Sequence, residues 1–214
     1  MESAFRQGDL TDPDLRLIET LGWDGTTFPR MGLHMARLSC AAARLGWPCE
    51  PPQVVRALQG AAPAFPARMR LTLGASGHVE VQTAPLPAAS RFWSVSLATQ
   101  RLDPNDPWLT LKSTRRAVYD GARATLPPGT DEVILANDRG EVCDGTITTV
   151  FFDAGRGLCT PPLTAGLLPG VLRAEMLASG QCREAGLMAS DLPHVCLWVG
   201  NSLRGLIPAR WSDP

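Results

Sequence analysis

The spacing of apolar residues in the first part of the chain changes from a helical period to a strand period. Residues 31–46 are rich in helix formers, and they predict a helix with its apolar side on Leu33, Ala36, Cys40 and Ala41. A second helix is expected at the paired prolines of "CEPPQVVRALQG", because proline suits the first helical turn.

After these helices, apolar and polar residues alternate. In "ARMRLTLGASGHVEVQT", Met69, Leu71 and Leu73 alternate with polar residues, and Val79 and Val81 do the same after the "GASG" turn. A period of two on both sides of a short glycine-containing turn predicts a β-hairpin with one apolar face.

The Pro/Ala segment 85–90 has no period and is predicted to be a linker between two domains. It divides the chain into a small, shortened N-terminal α+β domain (1–84) and a larger domain (91–214). In the larger domain we expect strands at "FWSVSLATQ", "DEVILAN", "TITTVFFD" and "HVCLWVG", and helices at "STRRAVYDGARATL" and "LPGVLRAEMLASG". The predicted fold class is α/β (α+β).

Composition narrows the class of protein. The 214 residues are 44% hydrophobic and 19% charged, and the net charge of −1 gives no reason to expect nucleic acid or an anionic membrane as a partner. No apolar segment approaches the length of about 18 residues that a membrane span needs, and the N-terminal sequence has no secretory pattern. We therefore expect a cytoplasmic protein.

The cysteines and histidines are dispersed along the chain. The six cysteines form no CxxC pair, and the three histidines are isolated from one another. The spacing is unlike that of zinc ligands, so we expect reduced, mostly buried thiols and no metal site.

Lys112, in "WLTLKSTRRAVYDGA", is the only lysine of the chain, beside 19 arginines, and it is predicted to lie at a strand-to-helix junction. Arginine serves most cationic purposes, but only a lysine amine can lose its proton and form an imine with a carbonyl. Codon bias would also leave a single lysine by chance. The choice between the two depends on the other motifs.

Three further motifs in the second half could form an anionic cofactor site together with Lys112. Asp144 stands in "VCDGTITTVFF", in a glycine-containing bend before an apolar strand. Gly170 and Val171 fall at a predicted helix start, where backbone N–H groups favour a phosphate. "VGNSLRGLIP" offers the Ser202 hydroxyl in a turn. Taken singly, an acid-Gly dipeptide such as that at Asp144 is usually a turn, and Pro-Gly before a helix is usually a structural start. Ser202 alone carries almost no information.

In order and spacing, these motifs resemble the fold-type IV pyridoxal-phosphate enzymes, which include the branched-chain and D-amino-acid aminotransferases and aminodeoxychorismate lyase. The resemblance covers most of the chain from about residue 19. The matching segments, in family order, are "ET…WDG", "HMARLSCAAARLG", "LKSTRRAVYDGA", "DEVILANDRGEVCDGTITTVFF", "TPPLTAGLLPGVLR" and "GNSLRGLIPA".

The resemblance implies a two-domain D-amino-acid aminotransferase-like fold, a homodimer, and pyridoxal 5′-phosphate as cofactor. Lys112 then matches the catalytic lysine that holds the cofactor as a Schiff base, and Asp144 matches the carboxylate that pairs with the pyridine nitrogen. The remaining cofactor-binding positions, chiefly around the phosphate, are Arg37, Gly170, Val171, Leu172 and Ser202.

The sequence departs from the family pattern at several of these positions. Asp144 is one methylene shorter than the usual glutamate, and Leu172 stands where many members have a phosphate-binding threonine. Ala117 stands where aminotransferases often have a tyrosine, and Tyr119 could replace it from the same helix. Arg116, one helical turn after Lys112, could face the same site.

The substrate remains open at this point. Arg70, on the polar face of the hairpin, is the position where a substrate carboxylate would bind, although a solvent-facing arginine is the plainer reading. "NSLRGLIP" and "KSTRR" favour an aminodeoxychorismate lyase-like enzyme that eliminates pyruvate and leaves 4-aminobenzoate. The alternatives are a class IV aminotransferase of branched-chain or D-amino acids, and a catalytically impaired relative that still binds the cofactor.

Overall fold

A computed structural model of the chain describes residue 5 and residues 7–212, without the side chains of residues 7 and 9. Two compact units are present. The first comprises the described residues up to Ala88 together with Leu111–Arg115, and the second comprises Ala89–Thr110 and the described residues from Arg116 onward.

The first unit contains one three-stranded antiparallel sheet of order β1-β2-β3. Its elements in chain order are α1 (Gln7–Leu10), β1 (Leu17–Trp23), α2 (Met31–Leu45), α3 (Pro51–Ala61), β2 (Ala67–Leu73) and β3 (Val79–Pro85). The β2–β3 hairpin confirms the predicted alternation, because Met69, Leu71 and Leu73 are fully buried while Arg68 on the other face is exposed.

Helix α2 forms where predicted, but the predicted apolar side is wrong. Its buried side chains are His34, Met35, Leu38, Ala41, Ala42 and Leu45, whereas Leu33, Ala36 and Cys40 are exposed. Alanines lie on every side of this helix, so two stripes have similar hydrophobicity and tertiary packing selects between them. The helix ends at Gly46, which adopts the left-handed conformation (φ 69°) and closes the last turn.

The boundary between the units differs from the division predicted from the sequence. Strand β3 extends to Pro85, so the segment 85–90 overlaps its last residue, and the units separate between Ala88 and Ala89. The predicted larger domain contained the whole of 91–214. In the structure Leu111–Arg115 belongs to the first unit, because this segment is hydrogen-bonded to β1.

The second unit is built on eight strands of order β10-β11-β4-β5-β6-β7-β8-β9. Its strands and helices are β4 (Trp93–Leu102), α4 (Ala117–Ala124), β5 (Glu132–Asn137), β6 (Val142–Gly145), β7 (Thr149–Asp153), β8 (Cys159–Thr160), α5 (Val171–Ala178), β9 (Arg183–Glu184), β10 (Cys196–Asn201) and β11 (Gly205–Trp211). Short 3-10 helices occupy Pro107–Thr110, Leu163–Ala165 and Ala189–His194. An additional β10–β7 pairing closes six of the strands into a ring.

Strand β7 is buried on both faces, and this explains its continuous apolar sequence. Val150 and Phe152 belong to one apolar cluster, and Phe151 belongs to another with Leu172 and Met176 of α5. A strand covered on both sides has no polar face to alternate with. Strand β7 therefore fixes α5 against the sheet.

All six cysteines are free thiols. Cys143, Cys159 and Cys182 are buried, whereas Cys49 is half-buried and Cys40 and Cys196 are exposed. The expectation that most of them are buried therefore holds for only half.

Candidate active site

Lys112 lies in a segment that runs beside β1. The Ile18 N–H donates a hydrogen bond to the Lys112 carbonyl at 2.8 Å, and the Thr114 N–H donates one to the Arg16 carbonyl at 2.9 Å. The Lys112 side chain is half-buried. Two backbone hydrogen bonds therefore fix the main chain at the only lysine and two residues after it.

The strand-to-helix junction predicted at Lys112 is wrong. The 3-10 helix at Pro107–Thr110 precedes this residue, and α4 begins only at Ala117. The backbone around Lys112 is engaged by β1 and cannot take part in a helix. Arg116 has the non-helical φ of −140°, so the predicted spacing of one helical turn between Lys112 and Arg116 is also wrong.

Arg37 is held by a buried carboxylate on β1. Glu19 accepts hydrogen bonds from Arg37 Nε to Oε1 at 2.8 Å and from Arg37 Nη2 to Oε2 at 2.6 Å. His34, three residues before Arg37 on α2, contacts the same Oε2 through Nδ1 at 2.6 Å. We call these three residues the Glu19 cluster.

Solvent does not reach the Glu19 and His34 side chains of the cluster. The side chains of Glu19 and His34 are each 1% exposed, and that of Arg37 is 13% exposed. Burial by itself raises the pKa of Glu19, but the Arg37 charge and the hydrogen bonds from His34 and Arg37 outweigh burial and lower this pKa to about 2. Because an ionised carboxylate can only accept, His34 Nδ1 carries the hydrogen.

Asp144 is part of strand β6, and its predicted location in a bend is wrong. Its Cα lies opposite Thr149 of β7, and the bend comprises 146–148. The side chain is 4% exposed, and its Oδ2 accepts a hydrogen bond from the Leu168 N–H at 2.9 Å. Strand pairing and this hydrogen bond therefore fix the position of the Asp144 carboxylate within the second unit.

The bend between β6 and β7 is organised by Glu132. This fully buried side chain accepts hydrogen bonds from Thr146 Oγ1 at 2.5 Å, Ile147 N at 3.1 Å and Thr148 Oγ1 at 3.0 Å. Arg123 Nη1 lies 3.3 Å from the same carboxylate. These bonds draw the three residues out of the strand, so β7 starts three residues later than "TITTVFFD" predicted.

Thr149 lies at the centre of the candidate site of the second unit. It is paired with Asp144 on one side and with Gly200 of β10 on the other. A Cβ on Gly170 would lie 2.5 Å from Thr149 Oγ1, so glycine is needed for this close approach. The sheet thus places Asp144, the start of α5 and the end of β10 around one residue.

Helix α5 starts as predicted, with Gly170 at its N-cap and Val171 as its first residue. No side chain caps this end, and the N–H groups of a first helical turn have no partner within the helix. Such an end favours an anion. The side chains of Val171 and Leu172 are buried, which leaves the backbone as the polar feature of this turn.

Ser202 lies in the tight turn between β10 and β11, as the sequence predicted. Asn201 Oδ1 accepts hydrogen bonds from the N–H groups of Leu203 and Arg204 at 3.1 and 3.0 Å. A Cβ on Gly200 would meet Leu172 Cδ2 at 2.8 Å. The turn that carries Ser202 therefore follows a strand residue packed against the start of α5.

The three predicted substrate contacts lie in different surroundings. Arg70 is half-buried on β2, with Thr20 and Gln82 as strand partners, on the face opposite the buried leucines. Arg116 Nε donates to Asp120 Oδ1 at 2.7 Å, and its guanidinium lies 5.7 Å from the Tyr119 ring centroid.

The Tyr119 hydroxyl is buried and has no hydrogen-bond partner among the described residues. Burial, followed by the negative charge of Asp144, raises the pKa of Tyr119 well above its usual value. The phenol therefore stays protonated. The ring itself packs against an apolar cluster of the second unit.

Within the described part of the chain, no three histidine, cysteine, aspartate or glutamate side chains converge as a metal site would require. Across the same residues, every helix is too short or too polar to cross a membrane.

The family of the chain follows from comparison with known proteins. Residues 16–211 match the model of the family "Amino-transferase class IV". The chain belongs to this family and has its two-part α/β fold, as predicted, and family members bind pyridoxal phosphate.

Three similar proteins span both chemistries of the family. A Schizosaccharomyces pombe protein named "Putative aminodeoxychorismate lyase" is 30% identical over 184 residues, which are 82% of this chain and 79% of that protein. The crystal structure of a "Putative amino-acid aminotransferase" from Mesorhizobium loti is 46% identical, with a TM-score of 0.86 over 93% of this chain and 100% of that one. A Mycobacterium tuberculosis structure named "A hypothetical aminotransferase", in its PLP-bound form, is 22% identical, with a TM-score of 0.76 over 91% of this chain and 80% of that one.

Sequence reasoning did not assign roles to Glu19 and Glu132, although both carried a signal. Glu19 falls on the apolar side of a strand, between Leu17 and Leu21, where a charge needs buried partners. His34 and Arg37, at spacing i and i+3 on a helix, were candidates for such partners. Glu132 is the only charged residue of the fully buried strand β5.

Proposed function

We propose that this chain is a pyridoxal-phosphate-dependent enzyme of the aminodeoxychorismate lyase type, which releases pyruvate from an amino-acid-like substrate and leaves 4-aminobenzoate. The observation that carries the proposal is Lys112. It is the only side-chain amine of a class IV family chain, and β1 fixes its backbone. No other side chain of the sequence could form an imine with the cofactor aldehyde.

The residues present fit this cofactor. Asp144 is a buried carboxylate in a position fixed by strand pairing. Such a carboxylate suits a protonated ring nitrogen. The uncapped start of α5 at Val171 and the turn that carries Ser202 suit a phosphate. In the first unit, Arg37 supplies a guanidinium with an orientation fixed by Glu19.

The bound cofactor supplies an electron sink for negative charge at the substrate α-carbon. Lys112 would hold the cofactor aldehyde, and its amine, when it is not engaged by the cofactor, would accept the substrate α-proton as general base. Asp144 would pair with the ring nitrogen and favour its protonated form. In this proposal Arg37, Gly170, Val171, Leu172 and Ser202 orient the phosphate.

The lyase assignment is supported by the 30% identity to the fission-yeast protein and by Ala117, which stands where aminotransferases often carry a tyrosine. A second candidate is transamination between an amino acid and a keto acid. It is favoured by the 46% identity to the Mesorhizobium loti protein, which this chain matches over that protein's full length.

The substrate contacts follow from side-chain chemistry. Arg70 is proposed to bind the substrate carboxylate, and Arg116 and Tyr119 are proposed as further contacts. The Tyr119 hydroxyl, buried and protonated, is a hydrogen-bond donor that no described residue uses. A homodimer stays a prediction from the family resemblance.

One set of assays separates the two activities. Cofactor-loaded protein is incubated with aminodeoxychorismate, and pyruvate and 4-aminobenzoate are measured. Parallel samples contain branched-chain or D-amino acids with 2-oxoglutarate, and glutamate is measured. We expect equimolar pyruvate and 4-aminobenzoate, and neither product with Lys112→Ala.

Glutamate formation without pyruvate would replace the lyase assignment by the aminotransferase. Cofactor binding without turnover in any sample would identify a catalytically impaired relative. A wild-type protein that does not bind pyridoxal phosphate would refute the proposal as a whole.

A further inference from the structure

We propose that Glu19 is a positioning residue, which holds the Arg37 guanidinium in the one orientation that receives the phosphate of the cofactor. The inference rests on the proposed function, since that function assigns the phosphate to Arg37. Glu19 itself would touch neither cofactor nor substrate. Its effect would pass entirely through Arg37.

The geometry of the contact fixes the guanidinium. Glu19 binds Arg37 through two parallel hydrogen bonds, from Nε and from Nη2, at 2.8 and 2.6 Å. A two-point contact between two planar groups sets the plane of the guanidinium as well as its position. The Nη1 group then points away from the carboxylate in a defined direction.

His34 restricts the carboxylate in turn. Its Nδ1–H donates to Glu19 Oε2 at 2.6 Å, and the ring is fully buried on α2. Three hydrogen bonds on two oxygens prevent the carboxylate from rotating. Glu19 is itself fixed by β1, where it lies opposite Leu71 of β2.

The members of the Glu19 cluster differ in their exposure to solvent. Glu19 and His34 are closed off from solvent, whereas Arg37 keeps 13% of its side chain exposed. The cation is therefore the end of the cluster that an anion from solvent can approach. The Glu19 carboxylate lies on the buried side of the guanidinium.

Stability alone is a weak reason for such a cluster. A buried ion pair is often no more stable than apolar side chains of the same volume, because desolvation offsets the attraction. Orientation is a stronger reason. A free arginine loses side-chain entropy when a ligand immobilises it, and an arginine that is already held avoids much of this loss on binding.

The test compares two aldehydes that differ only in the phosphate. Dissociation constants of pyridoxal phosphate and of pyridoxal are measured by absorbance titration of cofactor-free protein. The dissociation constant of pyridoxal divided by that of pyridoxal phosphate reports the phosphate contribution. We expect Glu19→Gln to lower this ratio about tenfold, the equivalent of one charged hydrogen bond. Arg37→Ala should lower it at least as much.

The double variant of Glu19 and Arg37 tests whether Glu19 affects phosphate binding only through Arg37. If Glu19 acts through Arg37, adding Glu19→Gln to Arg37→Ala changes the ratio no further. The matched control is Glu80→Gln, on β3 of the same sheet, whose side chain is 59% exposed. It should leave the ratio unchanged.

A purely structural Glu19 gives a different pattern. Glu19→Gln would then lower the urea midpoint and leave the ratio at its wild-type value, and this result would overturn the inference. Should Glu19→Gln fail to fold, Glu19→Asp is measured instead. It keeps the charge but withdraws the carboxylate by one methylene, and the same loss of ratio is expected.

Inorganic phosphate separates this inference from the proposed function. Binding of phosphate to cofactor-free protein is followed by calorimetry in the same variants. Phosphate binding that depends on Arg37 and Glu19, in a protein that binds neither aldehyde, would refute the proposed function and support Glu19 as a positioning residue. Absence of both kinds of binding would overturn both.

Discussion

Two buried glutamates, Glu19 in the first unit and Glu132 in the second, stabilise their surroundings in different ways. Both lie on strands, and their exposed fractions are 1% and 0%. Glu19 is surrounded by a guanidinium and an imidazole. Glu132 is surrounded mainly by two threonine hydroxyls and a backbone N–H, with Arg123 at the edge of the group.

The difference in partners indicates a difference in task. Neutral donors drawn from three consecutive residues make Glu132 the anchor of a backbone bend. The partners of Glu19 are side chains of one helix, and one of them is a cation with solvent access. Glu132 therefore determines the backbone conformation of the bend that follows Asp144, whereas Glu19 determines the orientation of the Arg37 guanidinium.

Removal of the Glu19 carboxylate should give the largest loss of stability. In Glu19→Ala, Arg37 and His34 stay buried without their shared acceptor, and the free energy of unfolding should fall by about 3–5 kcal/mol. Urea unfolding measures this loss. Glu80→Ala, at an exposed position of the same sheet, should change stability by less than about 0.5 kcal/mol. Equal losses in the two variants would contradict this account of Glu19.

The pH dependence of stability should sharpen the contrast. The folded state lowers the pKa of Glu19 from 4.5 to about 2, so the cluster contributes fully above pH 4.5 and its contribution is lost as the pH falls toward 2. Glu19→Gln cannot titrate and lacks this contribution. The gap in unfolding free energy between wild type and Glu19→Gln, about 2–3 kcal/mol at neutral pH, should narrow over this range. A gap of constant size would show that ionisation of Glu19 is irrelevant.

The hydrogen bonds of Glu132 in the second unit should contribute less to stability than the contacts of Glu19. Glu132→Ala removes the shared acceptor of the donors from Thr146, Ile147 and Thr148, and should lower the free energy of unfolding by about 2 kcal/mol. Thr148→Val removes a single hydroxyl and should lower it by about 1 kcal/mol. Asp138→Ala, at an exposed turn position, is the control. A larger loss for Glu132→Ala than for Glu19→Ala would reverse the comparison.

The smallest effect is expected at the close approach around Thr149. Gly170→Ala places a methyl group 2.5 Å from Thr149 Oγ1, and the necessary shift should cost about 1 kcal/mol. Gly121→Ala in α4, where a Cβ meets open space, should instead stabilise the protein. Thr149→Ala should relieve the loss in the double variant. If Gly170→Ala were as stable as Gly121→Ala, this packing would be refuted.

Elements with local signals were predictable from the sequence. The β2–β3 hairpin follows from strict alternation around "GASG", and the start of α5 follows from "LPGV". The family motifs also assigned Lys112, Asp144 and Ser202 as candidate residues. Short-range patterns and motif order were sufficient for these.

Features that depend on distant pairing were not predictable. The Lys112 segment was predicted as a strand-to-helix junction because its partners lie far away in sequence, as for Arg16 and Thr114, which are 98 residues apart. The bend beside Asp144 required Glu132 from another strand. The buried side of α2 was misassigned because alanine occurs on all sides of this helix.

The central claim is that Lys112 holds pyridoxal phosphate covalently. Cofactor-loaded protein is reduced with borohydride, digested and analysed by mass spectrometry, with Lys112→Arg as the matched variant. We predict one modified peptide, which contains Lys112 and carries the mass of the reduced cofactor, and no modified peptide in Lys112→Arg. Unmodified wild-type protein, or equal modification of the two proteins at another amine, would contradict the account.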